Sequence, residues 1–451
     1  MLARVWKFES SSGQMAILLN PVIISVAVMI VLCLLRMNVL VALMVSAVVA
    51  GLVAGMPITD TMDTLIKGMG GMSQTALAYI LLGALAYGIH SSGLIGKLVK
   101  GLQKLFGTNG TYFALFLAFI SCFSQNLILV HISFIPILIP PLLKLMNSMQ
   151  LDRRMAACAM TFGLKAPYML IPAGYGLIFQ GIVSGSMTDN GMPISVGDIW
   201  FSAIFPVAGM LAGLLFAVFV TYRKPRCYSD LPLVTGLVPQ EDDTKGFTVS
   251  HWGALVGAIA AFVIQLIFKS LPLGAIVGLF IMLATGAIKY KNLDNTINKG
   301  IVMMGYIAFV MLVASGYGDV IRATGGVSTL VDASYNVLGG SKFIGVIVIM
   351  LLGLIITMGI GTSFGTVPII AAVFVPLCIS LGFSVSATAC IIVAAGALGD
   401  AGSPASDSTL GPTAGLSADG QYNHIWDTCV PTFLHYNIPI FIMGIIGAMV
   451  L

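Results

Sequence analysis

Two carboxylates stand inside a segment that is otherwise poor in charge, Gly399-Asp400-Ala401-Gly402-Ser403-Pro404-Ala405-Ser406-Asp407-Ser408-Thr409. A carboxylate deep in an apolar segment is expensive and is usually functional. Asp400 and Asp407 flank Pro404, with Ser403 and Ser406 between them. A proline break frees backbone carbonyls, and these join carboxylates and hydroxyls as the hard oxygen donors that Na⁺ prefers. Asp400 and Asp407 are therefore candidate Na⁺ ligands. Either group can also carry a proton, and a site that takes H⁺ or Na⁺ but not both gives exchange. The competing reading is a helix cap or a structural pair with Lys165.

Three other polar interruptions fall within apolar stretches. One is Ser124-Gln125-Asn126, with His131 and Ser133 just beyond. The next is Gly361-Thr362-Ser363-Phe364-Gly365-Thr366. The last is Lys165-Ala166-Pro167-Tyr168 followed by Pro172-Ala173-Gly174-Tyr175-Gly176. Ser124, Gln125, Asn126, Lys165, Tyr168, Tyr175, Thr362, Ser363 and Thr366 thus join the acids as candidate substrate or ion contacts. The hydroxyls have an alternative, bonding back to their own helix backbone. Lys165 would neutralise an acid, face an anionic substrate group, or snorkel from a helix end. His131 reads as a packed histidine, and His90 and Arg322, at equivalent positions near helix ends, read as interfacial anchors.

The elements that must position these groups are transmembrane helices. Only 8% of the 451 residues are charged and 58% are hydrophobic, against roughly 25% charged in a soluble domain. Apolar runs of about 20 residues, the length of a bilayer-spanning helix, recur along the chain, and backbone in lipid must satisfy itself within the segment. The alternation of a membrane barrel is absent. The net charge of +4 points to no nucleic acid. The seven cysteines have no CxxC spacing and give no disulfide framework or metal cluster. Residues 1–14 are polar and read as a leader or tag-like segment.

The chain reads as two copies of one unit. A constant ungapped offset places Asp63-Thr64-Leu65-Ile66-Lys67-Gly68 on Asn295-Thr296-Ile297-Asn298-Lys299-Gly300, Pro136 on Pro368 and Pro172 on Pro404. Repeat 1 covers 15–222, a cytoplasmic linker 223–250, and repeat 2 covers 251–451. Each repeat predicts two opening helices (16–35 and 38–56; 252–268 and 271–288) and a third (72–91; 301–318). An interrupted stretch (111–146; 342–381), a proline-broken helix (155–182; 386–412) and a last helix (198–222; 432–451) follow. Lys97, Lys100 and Lys104 precede the first interrupted stretch, and Lys144, Arg153 and Arg154 follow it. Cationic loops stay cytoplasmic, so both ends face one side and the stretch is a re-entrant hairpin. About five crossings per repeat remain, an odd number, so the second repeat is inverted. The predicted fold is an all-α polytopic membrane protein of two inverted repeats. Paired breaks in such repeats mark a midplane substrate site.

Gly316-Tyr317-Gly318-Asp319 matches the GxGD string of intramembrane aspartyl proteases, but no Tyr-Asp dipeptide supplies the second catalytic motif. Asp319 can instead pair with Arg322 one turn on. The protease stays as a remote alternative, and no ATP-binding P-loop motif is present.

GDAGSPASDSTL (399–410) resembles the G-D-x-x-S-P-x-S-D-T motif of the NhaC-type Na⁺/H⁺ antiporter family, and GIGTSFGTVP (359–368) resembles its G-T-S-[WF]-G-T hairpin motif. The tail DGQYNHIWDTCVPTFLHYNIP (419–439) is similar to a subgroup associated with amino-acid movement. The resemblance runs over nearly the whole chain from Met15, with Ser408 standing where the motif has Thr. It implies the ion transporter superfamily fold, with Asp400, Ser403, Ser406, Asp407, Thr362, Ser363 and Thr366 at the site. The expectation is a non-enzymatic Na⁺/H⁺ antiporter of the bacterial plasma membrane. The alternative is a Na⁺- or H⁺-coupled carrier of a small amino acid or carboxylate, a cargo that Lys165, Tyr168, Tyr175 and Gln125 would suit. No cofactor is expected beyond Na⁺ and H⁺ as coupling ions. The expected partners are membrane lipid and the small substrate, and a homodimer is compatible with this plan.

Overall fold

The structure is a computed structural model that describes residues 19–35, 37–94, 101, 104–126, 135–172, 175–232, 246–268, 270–326, 329 and 341–451. The leader 1–14, His131 and Ser133 lie outside these residues. So do the side chains of Ser124, Gln125, Asn126 and Tyr175.

Helix is the regular secondary structure found among the described residues. In repeat 1, α1 (Pro21–Leu34) and α2 (Val39–Val53) open the fold, followed by α3 (Ile58–Met69) and α4 (Ser73–Ser91). Next come α5 (Gly110–Asn126), α6 (Ile135–Ser148), α7 (Arg153–Leu170), α8 (Tyr175–Asp189) and α9 (Ile199–Phe216). In repeat 2, α10 (Val249–Phe268), α11 (Leu271–Ala284) and the single long α12 (Leu293–Ala323) correspond to α1 through α4. They are followed by α13 (Lys342–Ile360), α14 (Ser363–Ser380), α15 (Val385–Ala397), α16 (Asp407–Leu416) and α17 (Ile438–Val450). The last helix is entered through π-helical turns at His424–Cys429 and Phe433–Asn437. Short polar residues set many of the starts. Asn20, Asn38, Asp152, Ser384 and Ser406 each accept a backbone N–H of the first turn, an N-cap that satisfies one orphan donor.

The third helix of each repeat begins earlier than the apolar pattern predicts. Residues 58–69 carry Asp60, Asp63 and Lys67 and still form a helix whose polar face is exposed. It runs on through a 3₁₀ turn at Gly70–Met72 and meets α4 at a bend of 47° just beyond, where Met72 leaves helical backbone. In repeat 2 the equivalent stretch is unbroken over 31 residues.

Among the described residues, four helices are long and apolar enough to span a bilayer alone: Val196–Thr221, Met304–Ala323, Lys342–Ile360 and His424–Val450. The bent pair Ile58–Met72 and Ala76–Ser91 adds a fifth.

Both interrupted stretches are hairpins. A Cβ placed on Gly110, at the start of α5, would meet Leu151, which follows α6. Lys342, at the start of α13, donates to the Gly382 carbonyl just past α14 at 2.6 Å. Each hairpin therefore enters and leaves on one face. The faces differ. Residues beside the first mouth join the start of the last helix, through Asn147–Asp230 at 2.9 Å and Arg226–Asp427 at 3.0 Å. Ser384, beside the second mouth, donates to the Leu451 carbonyl at the far end of that helix, at 2.9 Å. A helix of 27 residues is about 40 Å long, so the hairpins open to opposite faces and the repeats are inverted.

Helix packing repeats across a two-fold relation. The α8–α14 contact matches α6–α16, α7–α9 matches α15–α17, and α2–α12 matches α4–α11. The α4–α12 and α9–α17 pairs lie on the axis. At α4–α12 the backbones nearly touch: a Cβ on Gly83 would lie 2.8 Å from the Gly300 carbonyl oxygen. Small residues permit that approach in a membrane.

Candidate functional site

α15 stops at Ala397 because Leu398 is extended and Gly399 is left-handed, with φ +83. A Cβ at 399 would lie 2.4 Å from the Leu354 carbonyl oxygen, so only glycine fits. The freed backbone of the break is met from several sides. Gly399 N–H donates to Asn437 Oδ1 at 3.0 Å, and Asn437 Nδ2 donates to the Ala401 carbonyl at 2.7 Å. His424 Nε2 lies 3.1 Å from the Pro404 carbonyl, and its Nδ1 lies 2.7 Å from Thr413 Oγ1. A carbonyl can only accept, so Nε2 carries the proton at the Pro404 contact. Ser403 Oγ donates to the Met358 carbonyl at 3.0 Å, tying the break to the second hairpin.

Asp400 is fully buried at the centre of this arrangement. Its Oδ2 accepts from Lys165 Nζ, from Ser363 Oγ and, at 3.1 Å, from Ser363 N–H. Its Oδ1 accepts from Ser406 Oγ. Lys165 is only 4% exposed, so it does not snorkel. It also lies 3.3 Å from Tyr168 Oη, which donates to Ser363 Oγ at 2.9 Å. The pair joins α7 of repeat 1 to the break of repeat 2, with the hairpin tip closing over it. The repeat offset that sets Pro172 on Pro404 also sets Tyr168 on Asp400 and Tyr175 on Asp407. Equivalent positions of the two repeats thus converge on Ser363, one as a carboxylate and one as a phenol.

Asp407 lies beside this cluster, near enough for its charge to act on Lys165 and Tyr168. It is the first residue of α16, half-buried, and it lines a cavity of about 50 Å³ with Ser315, Gly318, Arg322, Gly361, Thr362 and Ala405 among its walls. Arg322 does pair with Asp319. It is nevertheless no simple interfacial anchor, because its long side chain reaches the wall of Asp407's cavity. The structure parts two other residues from Asp400. Thr366 Oγ1 donates back to the Thr362 carbonyl at 2.6 Å, and Ser403 serves Met358. Among the described residues no group of three or more His, Cys, Asp or Glu side chains could hold a metal ion.

His424, Asn437 and Thr161, whose Oγ1 donates to the Ser408 carbonyl at 3.1 Å, were not singled out as site residues from sequence. A trace of them is visible there: polar side chains recur through 419–437, beside one of the most apolar stretches of the chain.

Two profiles of known families match the chain: the Na⁺/H⁺ antiporter family over residues 159–447 and a Na⁺-H⁺ antiporter family over residues 20–106. An uncharacterized membrane protein of Vibrio parahaemolyticus is 46% identical over 96% of this chain and 100% of its own length. The Bacillus subtilis protein YuiF, whose name carries a provisional assignment as an amino acid transporter, is 45% identical over 96% of this chain and 100% of its own. Among solved structures, Neisseria gonorrhoeae MtrF is 15% identical, with a TM-score of 0.41 over 87% of this chain and 85% of that one. The glycine-locked break and the hairpin tip that meet at Asp400 both fall within the longer match, and the chain belongs to the Na⁺/H⁺ antiporter family of membrane transporters.

Proposed function

We propose that the protein is a secondary active transporter of the bacterial plasma membrane that exchanges Na⁺ for H⁺, without enzymatic activity or a cofactor beyond these ions. The observation that carries this reading is the buried pair of Lys165 and Asp400. The Lys165 ammonium occupies the place beside Asp400 that a monovalent cation would take. Ser363 Oγ, Ser406 Oγ and the carboxylate are oxygens that can turn toward such an ion. An ammonium displaced from its carboxylate into an apolar setting is costly, so its proton leaves as the cation enters. Loss of the cation returns the proton, and the two ions move in opposite directions. The cationic end formed by Lys144, Arg153, Arg154 and Arg226 is the cytoplasmic one under the positive-inside rule. Residues 223–250 then form a cytoplasmic linker.

Lys165→Met tests the coupling in proteoliposomes that contain a pH dye. Cation binding at Asp400 should survive, while the proton released per cation bound should fall and the pH profile should move to alkaline values. Unchanged proton release at an unchanged pH profile would remove Lys165 from the exchange.

A further inference from the structure

The Asp319–Arg322 pair borders the cavity that Asp407 lines, and the exchange at Asp400 gives it no task. Arg322 forms part of that wall with Ser315 and Gly318 of α12 and with Gly361 and Thr362 of the hairpin tip. Its Nη2 is held by Asp319 Oδ1. Its Nη1 turns toward the tip, where it would lie 3.9 Å from a Cβ built at Gly318 or at Gly365. Arg322 and Asp319 are 41% and 36% exposed along their side chains. They stand near the end of α12 that leads to the second hairpin, whose mouth is on the face opposite the linker. A cation arriving from that face passes the pair before it meets Asp407.

Close packing fixes Asp319. A Cβ on Gly68, near the end of α3, would lie 2.6 Å from Asp319 Oδ2, and one on Gly316 would lie 2.2 Å from the Leu65 carbonyl oxygen. Ser315 Oγ donates to the Gly68 carbonyl at 2.8 Å and holds α3 in this place. The string Gly316-Tyr317-Gly318-Asp319 thus brings α3 onto α12 and seats a carboxylate beside Arg322. An arginine keeps its proton in proteins, so its guanidinium carries a positive charge wherever it goes. Paired with Asp319, it leaves Asp407 to a cation. Paired with Asp407, it would take the cation's place. We propose that Asp319 is a positioning residue for cation exchange, which holds Arg322 off Asp407 and keeps that cavity open to an incoming Na⁺. The inference rests on the reading of the protein as a cation exchanger, with Asp407 as a Na⁺ contact.

The test is radiolabelled Na⁺ binding to the purified full chain in detergent, beside the Na⁺ dependence of proton flux in proteoliposomes. Asp319→Asn should weaken Na⁺ binding and raise the KM for Na⁺ by about 10- to 100-fold, the strength of a charged hydrogen bond that Arg322 gains on Asp407, with kcat nearly unchanged. Adding Arg322→Gln to Asp319→Asn should bring both back to within about threefold of the wild type, since losing one distant charge across water shifts affinity by no more than about that. Asp319→Glu, which keeps the carboxylate, should lie near the wild type. Arg322→Gln alone should tighten Na⁺ binding, because a like charge is gone. A change under about threefold in Asp319→Asn would overturn the inference. So would a loss that Arg322→Gln does not reverse, because Asp319 would then act on the fold and not on Arg322. If the wild type shows no Na⁺-dependent flux while binding falls and is rescued as stated, the exchange reading fails and the role of Asp319 stands.

Discussion

Replacing Asp400 by asparagine leaves the Lys165 ammonium buried at 4% exposure without its paired carboxylate, and among the described residues Tyr168 Oη remains as its hydrogen-bond partner. Removing one partner of a buried pair costs about 3–5 kcal/mol, because the other charge loses its compensation. Lys165→Met should cost less. The Asp400 carboxylate would keep Ser363 N–H, Ser363 Oγ and Ser406 Oγ as donors. Removing both charges at once, as Lys165→Met with Asp400→Asn, should return the stability to within about 1–2 kcal/mol of the wild type, since an uncharged pair of similar volume needs no desolvation repaid. The cycle should therefore give a coupling energy of roughly 3 kcal/mol, at the upper end for side chains in direct contact. Denaturant unfolding of the detergent-solubilised protein reads it as midpoint shifts at constant slope. Additive effects of the single substitutions, each under about 1 kcal/mol, would mean that the two charges meet water rather than each other, and the argument would fail.

The membrane end that carries the linker gives a pH prediction. Burial alone would raise the Asp419 carboxyl, but hydrogen bonds and charge from fully buried Arg153 outweigh it and hold the group below its ordinary value. A depressed carboxylate contributes stability above its unfolded pKa of about 4 and loses it as pH falls through the folded value. Below about pH 4 the wild type should therefore lose stability that Asp419→Asn lacks throughout, and equal acid sensitivity of the two proteins would argue against the pair. Cysteines introduced at Lys104 and Asn147 should label from the cytoplasmic face, as should the native exposed Cys227, and one at Lys342 from the opposite face. Labelling of 104 and 147 from different sides would turn the first hairpin into a span. His424→Ala removes the donor to the Pro404 carbonyl and should lower cation affinity about tenfold with little change in folding yield, whereas an unchanged affinity would make that contact incidental.

Much of the site was legible because membranes make polarity conspicuous. Asp400, Asp407, Lys165 and the Gly361–Thr366 tip stand out against apolar neighbours, and the lysines and arginines flanking residues 111–146 marked the hairpin. Partnerships were harder to read. Asp400 and Asp407 look alike in sequence, yet the sharp turn at Gly399 and Gly402 sends one into a sealed ion pair and leaves the other on a cavity wall. Arg322, one residue from the end of α12, looked like an anchor because position along a helix does not report where a long side chain reaches. His424 and Asn437 meet the break only because the π-helical turns of the last helix pack against it. Polar residues hid the true start of the third helix, since an exposed amphipathic turn carries no hydropathy signal of a span.

The most direct measurement of the central claim is proton flux from proteoliposomes after a Na⁺ pulse, comparing the wild type with Asp400→Asn. The wild type should move protons against the Na⁺ gradient at a rate that saturates with Na⁺. Asp400→Asn, inserted at equal density, should show no Na⁺-dependent flux at any pH. Na⁺-driven proton movement that persists in Asp400→Asn would contradict the account, because exchange would then run without the carboxylate on which Lys165 and the cation are said to compete.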